Sequence, residues 1–263
     1  MLLADKVVVV YGAAGAVGSA LTRAFAREGA RTFVTGRHLE SAERVAKDII
    51  ANGGAAEAAQ VDALDEAAVE QHLDAVIKQA GRIDVSFNAI GIPQQGIQGI
   101  PLTHLPVESF SLPVATYATS QFITARAAAR RMAAQRSGVI LMRTPEPSRL
   151  GAPLVGGMGP AWAAMEGLSR GLSAELASHG VRSVVLRTTG IPETATIDVV
   201  FDLHAKPAGM TRHEFQSLIE GMTHRRRSTT LAELAGVAVF IASERANAMT
   251  GTVANLTGGA IVD

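Results

Sequence analysis

Cysteine is missing from all 263 residues. Its absence excludes disulfides, thiol nucleophiles and thiolate-held metals, and says little about compartment. Net charge is missing too, with 24 Lys and Arg against 24 Asp and Glu. Such a balance offers no broad basic face, so neither nucleic acid nor an anionic membrane is expected as a partner. The uncharged stretches are interrupted by Gly, Pro, Gln or Thr, and none reads as a membrane span. The opening MLLADKVVVV is too short an apolar block for a secretion signal, and a cytoplasmic setting is the expectation. The seven histidines (His38, His72, His104, His179, His204, His213 and His224) show no metal-binding spacing, so no metal site is expected. No linker or internal repeat divides the chain.

What is present is apolar and rich in glycine. Hydrophobic residues make up 48%, charged residues only 18%, and glycines number 26. That suits one large, close-packed α/β domain. Strand-like and helix-like segments alternate throughout. The continuous run Val7–Tyr11 reads as a buried parallel strand. Further strands are expected at 31–35, ending at 60–61, and at 83–87, 139–142, 181–186 and 252–256. Helices are expected at 19–28, 41–52, 65–80, 112–135, after Pro160, and at 231–243. Strand–helix alternation implies a doubly wound parallel sheet with helices on both faces, binding its ligand at the carboxyl ends of the strands. Residues 192–230 are polar and irregular but carry Phe201, Leu203, Met210, Phe215, Leu218, Ile219 and Met222. They fit either a surface helix pair or a cover for a hydrophobic ligand.

The first strand ends in YGAAGAVG, Tyr11 to Gly18. Small residues between a strand and a helix let the backbone approach a pyrophosphate, and the helix N-terminus offers free N–H groups and a positive dipole. A tight turn without a ligand fits the glycines as well. After the second strand stand Gly36, Arg37 and His38, where an NAD site usually carries an acid for the ribose hydroxyl. Arg37 would instead meet a 2′-phosphate, so NADP is expected over NAD.

These segments together resemble the short-chain dehydrogenase/reductase family over almost the whole chain. YGAAGAVG resembles the family's T-G-x-x-x-G-x-G, with Tyr11 and Ala16 as departures. Asp62, in VDALD, matches the acid that meets the adenine amino group. IDVSFNAIG, Ile83 to Gly91, resembles I-D-x-x-x-N-N-A-G, and MTGTVANLTGG, Met249 to Gly259, resembles the last strand. GVRSVVLRTTGIPET, Gly180 to Thr194, resembles the sixth strand and its cofactor loop, with Thr188 and Thr189 replacing Pro-Gly. The resemblance implies a single-domain Rossmann-type fold over residues 1–263, a substrate lid at 192–230 and a homotetramer. It also implies cofactor contacts at Gly12, Ala13, Gly15, Ala16, Val17, Gly18, Arg37, His38, Asp62, Ala63, Asn88, Ala89, Ile90, Gly91, Thr188 and Ile191.

The family's catalytic Asn, Ser, Tyr and Lys have no counterpart. Ungapped alignment of VGGMGPAWAAMEGLSR, Val155 to Arg170, puts Met158 on the tyrosine and Trp162 on the lysine. The family's spacing puts Pro145 on the serine and Tyr117 on the asparagine. The only tyrosines are Tyr11 and Tyr117, so no other Y-x-x-x-K exists. MGPAWAAMEG also resembles the M-G-x-A-K-A-x-x-E pattern of enoyl-acyl carrier protein reductases, with Val155 at their tyrosine and Trp162 again at the lysine. Two readings follow. One is an NADP(H)-dependent reductase with a non-standard site, acting on a small apolar substrate, with Tyr117 or Thr144 as proton donor. The other is an inactive dinucleotide-binding sensor or partner subunit. Tyr117 also fits a core or interface aromatic, Thr144 a loop hydroxyl, and Arg143 a structural ion pair.

Overall fold

The computed structural model describes residues 1–262. Seven strands form one sheet: β1 (Val7–Tyr11), β2 (Arg31–Gly36), β3 (Ala55–Gln60), β4 (Val85–Asn88), β5 (Gly138–Pro145), β6 (Val181–Thr188) and β7 (Thr252–Leu256). Their spatial order is β3-β2-β1-β4-β5-β6-β7 and every pairing is parallel. The helices are α1 (Ala16–Arg27), α2 (Leu39–Ala51), α3 (Glu66–Ala80), α4 (Val107–Gln135), α5 (Met158–Leu176), α6 (Ala195–Ala205), α7 (Arg212–Gly221) and α8 (Leu231–Ala242).

The unbroken apolar character of β1 has a simple cause. Successive side chains point to opposite faces, and both faces are covered. Val8 and Val10 join one core, with Leu21 and Phe25 of α1 and Leu234 and Val239 of α8. Val7, Val9 and Tyr11 join the other, with Leu73 of α3 and Met132 of α4. The order reverses between β1 and β4, and the carboxyl ends of the strands open a crevice there.

The expected element types agree with the structure, while several bounds move. The first two helices begin earlier, at Ala16 and Leu39. The third begins behind a side-chain cap: Asp65 Oδ1 accepts from the Ala68 N–H at 3.1 Å. The long helix α4 begins at Val107, not 112, and takes Pro113 into its interior. A proline there typically costs about 3 kcal/mol. It is tolerated because this part of α4 is pressed against the loop before α5: a Cβ on Gly157 would lie 2.0 Å from the Phe110 carbonyl oxygen and 2.9 Å from Pro113 Cγ. Strands β5 and β6 run further than expected, pairing as far as Pro145 with Thr188. That extension carries their ends to the rim of the crevice.

His72 of α3 packs edge-on against Tyr11 and Phe33, with ring centroids 6.4 and 6.3 Å away. Its Nδ1 and the Tyr11 hydroxyl are buried without hydrogen-bond partners among the described residues. Burial pushes the imidazole down to about 4 and raises the Tyr11 phenol. The unfolded ring takes up its proton near pH 6.5, the folded one only near 4, so stability falls as pH drops across that interval. His72→Leu should therefore lose about 2–3 kcal/mol less than the parent between pH 7 and 4. Urea midpoints at several pH values check this; parallel pH profiles would contradict it.

Candidate functional site

A cleft of about 1220 Å³ runs along the carboxyl ends of the strands, from the β1–α1 turn to the α6–α7 segment. At its centre the chain turns sharply after β1. Gly12 has φ +66°, and a Cβ there would lie 2.8 Å from the Ile90 backbone nitrogen. The Gly15 N–H donates to the Gly12 carbonyl at 3.1 Å. Gly18 lies behind the turn, where a Cβ would come within 2.5 Å of the Gly12 oxygen. Helix α1 therefore starts close against β1. Gly15 caps it with no side-chain hydrogen bond, and its first turn carries no acid. Gly12, Gly15, Ala16 and Val17 line the cleft; Ala13 and Gly18 do not. Ala13 is fully buried and its N–H donates to the Thr35 carbonyl at 3.0 Å. Both act by shaping the turn rather than by facing the cleft.

On one side of the turn Arg37, His38, Ser41, Asp62 and Ala63 line the cleft. Arg37 and His38 are exposed. Within the described residues the Arg37 carbonyl accepts from Gln60 Nε2 at 3.0 Å, while its guanidinium has no hydrogen bond or ion pair. Asp62 Oδ1 accepts from the Leu64 N–H at 3.0 Å. Asn88, Ala89, Ile90 and Gly91 line the middle. Asn88 braces them: its Oδ1 accepts from Ile90 N–H at 3.1 Å and its Nδ2 donates to Thr124 Oγ1 at 3.2 Å.

The far side is walled by Tyr117, Pro145, Met158 and Trp162, the four residues in the slots that the resemblance gives to the tetrad. Met158 and Trp162 share the cleft-facing side of the α5 entrance, as their spacing requires. Tyr117 is 9% exposed. Burial raises its phenol above the ordinary range, against the Ile92 backbone N–H and the Arg143 charge, which pull it down.

Two expectations are corrected here. Thr144 is 0% exposed and turned away from the cleft. Its hydroxyl donates to Glu166 Oε1 at 2.8 Å, joining Ser148 Oγ at 2.5 Å and Arg187 Nε at 3.0 Å. Arg187 Nη2 reaches Glu166 Oε2 at 2.7 Å. Alternation along β5 sends Arg143 and Pro145 one way and Thr144 the other. Thr188 likewise does not line the cleft; its Oγ1 accepts from Arg143 Nη2 at 2.7 Å and Nε at 3.1 Å. Ile191 of the same loop does line it.

One residue escaped the sequence reading. Glu146 follows Pro145 and lines the cleft beside Arg143, Met158 and Gly190. Its Oε2 is buried without a hydrogen-bond partner. Burial raises the carboxyl to about 7, although the Arg143 charge and the backbone N–H groups of Glu146 and Gly190 favour the carboxylate. In the sequence it is an acid between two prolines, with nothing to distinguish it from a solvated loop residue.

Over the cleft lie α6 and α7, contributing Phe201, His204, Phe215, Leu218 and Ile219 to its lining, with Met222 just after α7. Phe201 and Phe215 stack edge-on at 5.6 Å. A chain of amides ties this cover to the floor. His204 Nε2 meets Gln98 Oε1 at 3.0 Å, Gln98 donates to Gln94 Oε1 at 2.6 Å, and Gln94 donates to the Ile92 carbonyl at 2.6 Å. The basic run after α7 faces a carboxylate: Arg225 Nη2 and Arg227 Nη2 each donate to Glu233 Oε1 at 2.6 Å.

The close-packed turn with open N–H groups, an unpaired arginine beside it and an apolar far wall fit an extended dinucleotide. Comparison with known proteins agrees. A family model described as enoyl-(acyl carrier protein) reductase matches residues 12–260. The chain is similar to L-rhamnose 1-dehydrogenase (NAD(P)(+)) of Azotobacter vinelandii, at 30% identity over all of this chain and 99% of that one. It is 28% identical to a 3-oxoacyl-[acyl-carrier-protein] reductase of Synechocystis, over 99% of this chain and 98% of the other. Its fold follows that of NAD+-bound xylitol dehydrogenase, with a TM-score of 0.92 at 24% identity, covering 98% of this chain and 100% of that one.

The Glu166 cluster generates a stability test. Burial works against its charge, but donors from Arg187, Ser148 and Thr144 outweigh it and hold the carboxyl below the usual range. Glu166→Gln leaves Arg187, whose side chain is 4% exposed, without a counter-charge. We expect a loss of about 3–5 kcal/mol in urea unfolding. Thr144→Val should cost only about 1–2 kcal/mol, because the other donors remain.

Proposed function

The chain belongs to the short-chain dehydrogenase/reductase family of oxidoreductases, and from that premise we propose that it is an NADP(H)-dependent reductase with a non-standard proton-transfer site. The observation that carries the cofactor choice is Arg37, which lines the cleft next to the glycine turn with an unpaired guanidinium and no carboxylate bonded to it. A guanidinium there suits a 2′-phosphate through charge-assisted hydrogen bonds. Gly12, Gly15, Ala16 and Val17 would receive the pyrophosphate, Asp62 and Ala63 the adenine, and Asn88 to Gly91 the ribose side. Ile191 would flank the nicotinamide. When bound, that ring supplies the hydride.

The substrate end favours a small apolar molecule. Met158, Trp162, Val155 and Ile92 form one wall and Phe201, Phe215 and Ile219 the other. Residues 192–230 act as the lid. Neither Met158 nor Trp162 has an acidic group near neutral pH, so hydride transfer here depends on a proton from elsewhere. Tyr117 lines the same wall, but burial raises its phenol, so it would orient the substrate more readily than give up a proton. No helix among the described residues is long and apolar enough to cross a membrane. A cytoplasmic setting belongs to the same reading.

We also propose that the protein is a homotetramer built on α4, α5 and the β7 edge. Phe110, Leu112 and Phe122 leave large apolar surface exposed on α4. Light scattering should return four times the chain mass; a monomer would refute the assembly. Trp162 is the only tryptophan and lines the cleft, so its emission reports on cofactor. NADPH should quench it saturably and more tightly than NADH. Arg37→Ala should weaken NADPH by about tenfold or more while leaving NADH nearly unchanged, in keeping with about 1.5–3 kcal/mol for a charged hydrogen bond. Equal losses would remove the NADP preference.

A further inference from the structure

We infer that Glu146 is the residue that hands the proton to the substrate in this cleft, replacing the group that the Met158 and Trp162 wall has displaced. The inference rests on the reductase reading above. Three geometric facts carry it. Glu146 lines the cleft at the end of β5, between Pro145 and Pro147, beside the Gly190–Ile191 loop where the nicotinamide end of a dinucleotide is proposed to lie. Its Oε2 is buried and, among the described residues, makes no hydrogen bond, so one oxygen of this cleft-lining residue is uncommitted. The polar groups around it are otherwise engaged: Arg143 Nη2 and Nε donate to Thr188 Oγ1, and Thr144 and Ser148 donate to Glu166. A buried, unpartnered carboxyl oxygen costs stability unless it carries a proton or gains a partner.

The charged and titratable neighbours are few. Arg143 of β5 favours the carboxylate, and so do the backbone N–H groups of Glu146 and Gly190; burial opposes them and wins, bringing the group to about 7. Tyr117 of α4 couples to the same arginine. Arg143 is itself pushed below its ordinary value by burial but remains a cation. A carboxyl poised near neutrality can both hold a proton and release it, which is what general acid catalysis asks for. Tyr117 suits positioning better, because burial raises its phenol and makes its proton harder to give up.

In the forward step Glu146 releases its proton to the electronegative atom of a polarised double bond. The carbon of that bond accepts the hydride and its electron pair from the reduced nicotinamide. The products are the reduced substrate, the oxidised nicotinamide and the Glu146 carboxylate. Arg143 offsets the new charge, and a proton from solvent restores the acid.

The test uses the full chain, its Glu146→Gln variant and a Tyr117→Phe control. Carboxyl resonances of protein labelled with 13C-glutamate report the titration without any turnover. One carboxyl should titrate near pH 7 and disappear in Glu146→Gln; titration of that resonance below about 5 would overturn the inference. Turnover is then followed with NADPH and an aromatic 1,2-diketone as the probe. The parent rate should fall as pH rises past about 7. Glu146→Gln should lose about 10²–10⁴-fold in kcat together with that pH break, while its Trp162 quenching by NADPH stays that of the parent. Tyr117→Phe should keep the break. A Glu146→Gln enzyme that keeps rate and pH profile overturns the proposal, as does one that loses NADPH quenching, since Glu146 would then be docking cofactor. Quenching without turnover in the parent removes the proton-transfer step and leaves cofactor binding standing. No quenching by NADPH in the parent defeats the reductase reading itself, and the inference falls with it.

Discussion

The cleft holds its shape because a buried carboxylate and a buried guanidinium sit beneath it. Glu166 reaches from α5 and Arg187 from β6, and the pair is sealed by hydroxyls from Thr144 of β5 and Ser148 of the loop that follows. Four segments are thus tied at one point. A buried pair of this kind is seldom a net source of stability compared with apolar packing, but it tolerates only one arrangement of its partners. That is what the cleft needs. The α5 entrance, with Met158 and Trp162, is fixed relative to the ends of β5 and β6, and Arg143, Pro145 and Glu146 are held on the other side of the same corner.

The two ends of the cleft follow different physics. At the glycine turn the surface is backbone: Gly12 and Gly18 allow α1 to approach β1, and Gly15 caps the helix without a side-chain hydrogen bond. At the far end the surface is side chain, and most of it is apolar. Water excluded from such a surface leaves its few polar groups in a poor dielectric, which is why Glu146 moves up and Arg143 moves down. The Phe201–Phe215 pair of α6 and α7 lines this end, and the His204–Gln98–Gln94 chain links α6 to the Ile92 backbone.

Much of the fold is legible in the sequence because its signals are local or periodic. The run Val7–Tyr11 is buried on both faces, and a capping acid, Asp65, and a left-handed glycine, Gly81, bound α3. The start of α4 was not legible, since Pro113 signals a first turn and only packing against Gly157 lets the helix begin earlier. The candidate site divides in the same manner. Spacing alone puts Met158 and Trp162 on one face, and both line the cleft. Spacing could not say that Thr144 faces the opposite way, because the length of β5 and its pairing with β6 set the alternation.

Residue types read along the chain are enough to set the layered α/β architecture, the glycine turn after β1 and the presence of Arg37 where an acid is usual. Each is a matter of residue type at short range, where a periodicity or a missing side chain has one structural meaning. Which polar groups matter emerges only when distant segments pack together. Glu166 and Arg187 are twenty-one residues apart and become a single buried unit. Glu146 reads as an ordinary loop acid until the β5 end, Arg143 and the Gly190 loop surround it. Burial is a property of everything that packs around a group, and it is burial that turns a carboxyl on a loop into one that holds its proton near neutral pH.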